Sequence, residues 1–181
     1  DSACTLPPHS LTPDQIGRIV DYTRRMARGL RVVGLLNIQF AVKDNQVFIL
    51  EANPRASRTV PFVSKATGIP LAKLAARVMA GARLKRLLPK ELRGLDIPRL
   101  PYAATKGVVL PFRKFPGVDP TLGPEMKSTG EVMGLDSDFP RSFVKSQAAA
   151  GTALPVSGAA FLSVRDEDKP ALLPIASALR Q

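Results

Sequence analysis

Asn37-Ile38-Gln39-Phe40-Ala41-Val42-Lys43 and Val47-Phe48-Ile49-Leu50-Glu51-Ala52-Asn53-Pro54-Arg55 are two strand-like runs separated by Asp44-Asn45-Gln46. Leu36, Ile38, Phe40 and Val42 alternate along one side of the first run, and Phe48, Leu50 and Ala52 are expected to continue that side on the second. The opposite side carries Asn37, Gln39, Lys43, Glu51 and Asn53. Loop length decides whether these polar groups meet. A two-residue loop at Asp44-Asn45 pairs Gln39 with Leu50 and sends Gln39 and Glu51 to opposite faces, because a one-residue slip flips every side chain. A three-residue loop, Asp44-Asn45-Gln46, pairs Lys43 with Val47 and sets Gln39 directly across from Glu51. Asn45 tolerates the left-handed conformation that such a loop commonly needs. The three-residue register is the expected one.

Gln39, Glu51 and Asn53 are oxygen donors, and magnesium takes one or two protein oxygens with the rest of its shell from phosphates and water. A half-exposed hairpin also alternates apolar and polar residues by default, so spacing alone fits an ordinary outer face equally well. The continuation Asn53-Pro54-Arg55-Ala56-Ser57-Arg58-Thr59-Val60-Pro61-Phe62 separates the two readings. Pro54 stops the strand and leaves two guanidiniums just past the carboxylate, where they can fork onto phosphate oxygens.

The run from Gly34 to Gly81, centred on LEANPRASRTVPFVSKATGIPLAKLAARVMAG, resembles the end of the second ATP-grasp unit in the carbamoyl-phosphate synthase large-subunit family. The resemblance extends through Val108-Val109-Leu110-Pro111-Phe112, Lys114-Phe115-Pro116-Gly117-Val118-Asp119-Pro120 and the stretch from Leu122 to Gly134. Glu-x-Asn-x-Arg alone is shared by several ATP-grasp ligases, whereas Pro-Arg-x-Ser-Arg-Thr-Val-Pro-Phe points to this family over biotin carboxylase. The resemblance implies that Gln39, Glu51 and Asn53 hold the magnesium or manganese ions bridging the ATP phosphates. It implies that Gln39 and Glu51 also contact the nucleotide, that Arg55 lies near the transferring phosphoryl group, and that Arg58 is a weaker candidate for the same role. The implied reaction is ATP-dependent phosphorylation of carbamate to carbamoyl phosphate, serving pyrimidine and arginine biosynthesis. Implied partners are ATP, carbamate and a small glutaminase subunit, in a homo-oligomer of heterodimers.

The implied fold class is α+β. Residues 1–150 correspond to the C-terminal part of an ATP-grasp domain, with 1–82 as metal and nucleotide lobe and 83–150 as connector and remaining strands. A linker over 151–158 and the opening of an α/β, methylglyoxal-synthase-like allosteric domain over 159–181 follow. The family's nucleotide-binding lid and preceding lobe have no counterpart here, so the chain alone is expected to bind ATP weakly and to catalyse nothing.

With 181 residues and 45% hydrophobic content the chain suits a sizeable core. Its net charge of +11 raises a nucleic-acid-binding alternative. The basic residues are scattered, however, and the densest group, Arg83, Lys85, Arg86, Lys90 and Arg93, lacks interleaved aromatics for stacking. A solvated basic face, or one that meets an acidic surface, explains the charge better. The remaining alternative is an ATP-grasp ligase acting on another carboxylate. The single cysteine, Cys4, excludes an internal disulfide and fits a cytoplasmic setting. No apolar run reaches membrane-span length, and His9, the lone histidine, sits among prolines where no triad or imidazole cage is expected.

Along the chain, Thr12-Pro13-Asp14-Gln15 is a capping box that opens a helix running to about Gly29, with Met26 in its packing stripe. Val60 to Val63 reads as extended, and Lys65 as a solvated loop residue. Pro70 opens a helix that buries Leu71, Leu74, Ala75 and Val78 and stops at Gly81. Residues 83–105 read as a surface excursion with a short helix around Lys90 to Leu95. Strands are expected at Lys106 to Leu110 and Glu131 to Met133, with Phe112, Phe115 and Val118 as packing anchors. Glu125 and Glu131 are expected to be structural or solvated. Asp138 starts a helix carrying Phe139, Phe143 and Val144 inward. Ala159 to Val164 reads as a strand, and Asp166-Glu167-Asp168 places acid at the start of a last helix.

Overall fold

The structure, a computed structural model, describes residues 2–93, 100–152 and 154–180, without the side chains of Glu91 and Arg113. Its frame is a three-stranded antiparallel sheet in the order β1-β4-β5, made of Cys4–Leu6, Ala103–Val109 and Gly130–Asp136. Pairing Leu6 with Ala104 and Ala104 with Leu135 puts Cys4, Leu6, Ala104, Lys106, Glu131 and Met133 on one face. Helix α2, Thr59–Thr67, covers that face: Phe62 and Ala66, one turn apart, close the core on Ala104 with Cys4, Leu6, Val63 and Met133 around them. The Tyr102 hydroxyl ties the layers by donating to the Ala66 carbonyl at 2.8 Å. Residues on both sides of position 82 therefore share one core.

The expected extended piece at Val60 to Val63 is thus part of a helix. β-branched Thr59, Val60 and Val63 favour a strand locally, but Pro61 falls in the first helical turn, where a missing N–H costs nothing. Gly68 at φ 70° then supplies a left-handed cap. Lys65 accordingly lies on a helix, not in a loop.

The other sheet face carries Thr105, Gly107 and Gly134 and packs on α5, Phe139–Ala149. Asp138 caps this helix as expected, accepting the Arg141 N–H at 2.9 Å. Its inward face is different from the expected one: Ser142 and Ser146 are fully buried, whereas Phe143 and Val144 are exposed. A Cβ on Gly134 would lie 2.0 Å from the Ser142 carbonyl oxygen, so the helix sits directly on strand backbone and only small residues fit between. The buried hydroxyls are satisfied, Ser142 sharing a 2.7 Å hydrogen bond with Thr105 and Ser146 donating to the Phe143 carbonyl at 2.7 Å.

Helix α1, Pro13–Gly29, has the full capping box, and β2, Asn37–Lys43, pairs with β3, Gln46–Asn53, beside it. Helix α3, Leu71–Met79, half-buries Leu71, Leu74, Ala75 and Val78, which line an apolar groove of about 540 Å3. Short α4, Leu84–Leu87, and a 3-10 turn at Lys90–Leu92 follow, so the helix expected around Lys90 to Leu95 is reduced to that turn, with residues 94 and 95 outside the described residues. β4 starts at Ala103, three residues before the expected Lys106, because its first residues pair with β1 and β5. Phe115 and Val118 are exposed and do not act as packing anchors. A 3-10 turn at Asp166–Asp168 leads into α6, Lys169–Ala178. Residues 159–164 do not form the expected strand: a strand needs a ladder partner, none of the described strands pairs with this segment, and Phe161 is 93% exposed. Among the described residues no helix is long and apolar enough to cross a membrane.

Candidate metal and phosphate site

Gln39 lies directly across from Glu51, as expected, but the chain reaches that pairing by another route. Asp44 and Asn45 form a two-residue turn with φ values of 51° and 61°, pairing Lys43 with Gln46 and Val42 with Val47. Both φ values are positive, as the hairpin turn that matches strand twist requires. Carried on unbroken, this register would oppose Gln39 and Leu50. Instead the pairing shifts between Gln39 and Phe40, so that Phe40 opposes Ile49, Gln39 opposes Glu51 and Leu50 has no partner. The expected three-residue loop is replaced by a tight turn plus a β-bulge, and the two changes cancel at Glu51.

The bulge also corrects the apolar side of the hairpin. Val47 and Ile49 share the Phe40 side, Phe48 falls on the side of Gln39, and Leu50, expected in the core, is 64% exposed. Ile49 borders a cleft with Tyr22 and Met26, which places the Phe40 side toward α1 and leaves the polar side open.

Four oxygen-donor side chains stand on that open side as two cross-strand pairs, Gln39 with Glu51 and Asn37 with Asn53. Asn53 Nδ2 donates to Glu51 Oε1 at 2.9 Å, which leaves Glu51 Oε2 and Asn53 Oδ1 unused by that bond. Gln39 and Glu51 are exposed. The candidate ligands among them, Gln39, Glu51 and Asn53, offer one carboxylate and two amide oxygens, too few to enclose a cation alone. They match a magnesium or manganese ion that takes its other ligands from phosphate and water. The described residues contain no group of three or more His, Cys, Asp or Glu able to hold a metal.

Past β3 the chain turns at Pro54, with Arg55 N–H donating to the Asn53 carbonyl at 2.8 Å. The Arg55 guanidinium donates to the Ala56 carbonyl at 3.0 Å and is otherwise solvent-facing. Asn37 Nδ2 donates to Ser57 Oγ at 3.3 Å, tying the arginine-bearing loop to the strand that carries Gln39. Arg58 is the residue before α2 and borders a cleft of about 300 Å3 with Ser128, Thr129 and Glu131. The two arginines thus serve different places, Arg55 the end of the hairpin and Arg58 the cleft under α2. Lys65 borders an adjoining cleft with Lys106 and Glu131.

Two features escaped the sequence reading. Lys106 is 4% exposed and its Nζ lies 2.9 Å from Glu131 Oε1. Glu131 is therefore structural, as expected, but its partner is a buried lysine at the first position of the strand expected over Lys106 to Leu110. The Asn37–Ser57 bond is the second; Asn37 was visible on the polar side, and Ser57 carried no signal of its own.

The chain matches the family model described as "Carbamoyl-phosphate synthase L chain, ATP binding domain" over residues 1–87. It is 58% identical over 181 residues to the carbamoyl phosphate synthase large chain of Methanoculleus marisnigri, covering 100% of this chain and 17% of that one. The Archaeoglobus fulgidus large chain is 61% identical over 169 residues, covering 93% of this chain and 15% of its own length. Among solved structures, the biotin carboxylase domain of a single-chain bacterial carboxylase superposes with a TM-score of 0.58 at 18% identity, over 98% of this chain and 50% of that one. That likeness concerns the fold, an α+β ATP-grasp lobe. The chain spans a small fraction of the length of its curated relatives, and at these identities it belongs to the carbamoyl-phosphate synthase large-chain family.

Proposed function

We propose that this chain supplies the metal-binding and phosphate-facing residues of an ATP-dependent ligase that phosphorylates carbamate, giving carbamoyl phosphate and ADP. The observation that carries the reading is the placement of Gln39, Glu51 and Asn53 on one open hairpin face, followed at once by Arg55. Gln39, Glu51 and Asn53 would hold magnesium or manganese, with Gln39 and Glu51 also lying against the nucleotide. When bound, the ion supplies charge neutralisation and alignment of the ATP phosphates. The chain's own residues position and neutralise: a carbamate oxygen bonds to the γ-phosphorus while the bond to the β–γ bridging oxygen breaks, and Arg55 faces the negative charge on the transferring group. Arg58 contributes positive potential from the neighbouring cleft.

Residues 1–150 belong, in this proposal, to the ATP-grasp domain and 159–181 to the start of an allosteric domain, with 151–158 as linker. The complete protein would act in the cytoplasm with a glutaminase subunit, in pyrimidine and arginine biosynthesis.

The experiment is ATP formation from carbamoyl phosphate and ADP by a full-length large chain carrying this sequence, wild type against Glu51→Gln. Loss of activity in the variant supports both the reaction and the metal face. No activity in the wild type would favour another carboxylate as acceptor, and activity surviving in Glu51→Gln would remove Glu51 from the site.

A further inference from the structure

The β2–β3 hairpin has two ways of setting Gln39 across from Glu51, and it takes the one that needs a bulge. A three-residue turn would do so with an unbroken ladder. The two-residue turn does so only because Leu50 is left out of the ladder. The two registers differ in what meets α1: Ile49 shares the Phe40 side here, whereas Phe48 and Leu50 would replace it in the unbroken ladder. They also differ beside the site. A bulge raises local twist and re-aims the side chains next to it, and Leu50 immediately precedes Glu51. Turn chemistry does not settle the choice, since Asp-Asn must hold two non-glycine residues at positive φ, where Asp-Gly would be at ease.

Helix α1 reaches the turn directly. Gln15 is 9% exposed and its amide is used at both ends. Oε1 accepts the Thr12 N–H at 2.9 Å to complete the capping box, and Nε2 donates to Asn45 Oδ1 at 3.1 Å. One turn along, Arg18 donates from Nη1 to the Asn45 carbonyl at 3.2 Å and is held by Asp14 at 2.7 Å. The side chain and the backbone of the second turn residue are both gripped by the helix. We propose that Gln15 is a positioning residue for the metal face: by gripping Asn45 it selects the bulged register, and the bulge sets the direction of Glu51. The second half of this statement rests on the reading of Glu51 as a metal ligand; the first does not.

Three variants of a full-length large chain carrying this sequence test it. Gln15→Ala removes the grip on the Asn45 side chain and one half of the capping box. Thr12→Ala removes the other half of the box and leaves the Asn45 contact. Asn45→Gly placed in the Gln15→Ala background supplies the Asp-Gly turn, which favours two-residue geometry without the Gln15 grip, the Arg18 contact to the backbone carbonyl being common to all variants. The readouts are amide exchange across residues 40–50 by mass spectrometry, and the Mn2+ concentration for half-maximal ATP formation from carbamoyl phosphate and ADP. Gln15→Ala is expected to speed exchange about fivefold, the equivalent of one ordinary hydrogen bond. It is expected to raise the Mn2+ requirement about tenfold, as loss of a ligand-orienting contact does. Thr12→Ala should leave both near wild type, and adding Asn45→Gly should bring both back. Exchange unchanged in Gln15→Ala, an equal effect of Thr12→Ala, or no rescue by Asn45→Gly would overturn register selection. Exchange responding while the Mn2+ requirement stays at its wild-type value would overturn the positioning of Glu51. A wild type without metal-dependent activity would instead sink the ligase reading, with register selection still decided by exchange.

Discussion

Asn53 is bonded to Glu51 along the same strand, its Nδ2 donating to Oε1 at 2.9 Å. The amide holds the carboxylate in place without neutralising it, so in the proposed site Glu51 would supply the charge and Asn53 its orientation. Glu51→Ala should lower metal-dependent phosphoryl transfer by about 100-fold or more, the loss typical of removing one preorganised electrostatic partner. Because Glu51 is exposed, the melting temperature should hardly move. Asn53→Ala should chiefly raise the metal requirement, with turnover at saturating metal falling less than in Glu51→Ala. Steady-state rates against Mn2+ concentration, with thermal melts of the same preparations, separate the two; equal turnover losses would mean that Asn53 is a ligand of equal weight.

Arg55 and Arg58 stand in different surroundings, one beyond the hairpin end, the other before α2 beside Ser128, Thr129 and Glu131. On the proposed reading Arg55→Ala should therefore lower turnover more than Arg58→Ala, each by about 10- to 100-fold or less, since the other arginine and a bound metal would share the neutralising role. Matching small losses in single-turnover measurements would place neither beside the reacting phosphate.

Lys106 is buried beneath α2 and paired with a part-exposed Glu131 on the adjacent strand. Removing the carboxylate strands an ammonium that water reaches poorly. Glu131→Ala should cost about 3 kcal/mol, toward the lower end of what breaking a buried pair costs, because Glu131 retains solvent. Lys106→Met in the Glu131→Ala background should recover part of that loss by replacing an unpaired charge with an apolar chain of similar length. Urea unfolding of wild type, Glu131→Ala, Lys106→Met alone and the double variant gives the cycle. A Glu131→Ala protein as stable as wild type would show that the ammonium escapes to solvent.

What could be read from sequence was local. Thr12-Pro13-Asp14-Gln15 closes its capping box through contacts three residues apart, and Leu71, Leu74, Ala75 and Val78 form their stripe whatever lies opposite. The facing of Gln39 and Glu51 was also legible, but through a three-residue turn that does not form. Bulge and turn compensate one another, and side-chain alternation cannot distinguish the two solutions. Long-range partners decided the rest. Cys4–Leu6 is a strand because β4 pairs with it about one hundred residues later in the chain. Val60 is helical because Phe62 and Ala66 fill the sheet's core, and Phe143 faces outward because Gly134 admits only Ser142 and Ser146.

Asp136 at the end of β5 accepts from Lys145 at 2.7 Å and from the Ser137 N–H at 2.7 Å. The lysine first, then the backbone donor, hold its carboxyl down at about 2 from an ordinary 3.8. A depressed folded-state value means that the bond's contribution is complete above the unfolded value and fades as pH falls from about 3.8 toward about 2. Asp136→Asn should flatten the acid limb of the stability curve within that window and leave its shape near neutrality unchanged. Urea midpoints at closely spaced acid pH values measure this; an unaltered acid limb would mean that Asp136 is fully solvated.

Gly134 faces α5 with no room for any side chain. A Cβ there would sit 2.0 Å from the Ser142 carbonyl oxygen and 2.6 Å from the Ser146 nitrogen, and both are backbone atoms of a packed helix that cannot rotate aside. Gly134→Ala must therefore push the helix off the strand, opening the contact through which Ser142 reaches Thr105. The expected cost is about 3 kcal/mol or more, at the upper end for overpacking. Gly107→Ala is the matched comparison, since its Cβ would meet the side chains of Val132 and Ser146 at 3.3 and 3.4 Å, which can shift by a few tenths of an ångström. It should cost about 1 kcal/mol, within the ordinary range for a tight apolar site. Chemical denaturation of both variants tests the packing directly, and a Gly134→Ala protein no less stable than Gly107→Ala would mean that α5 does not rest on the strand backbone.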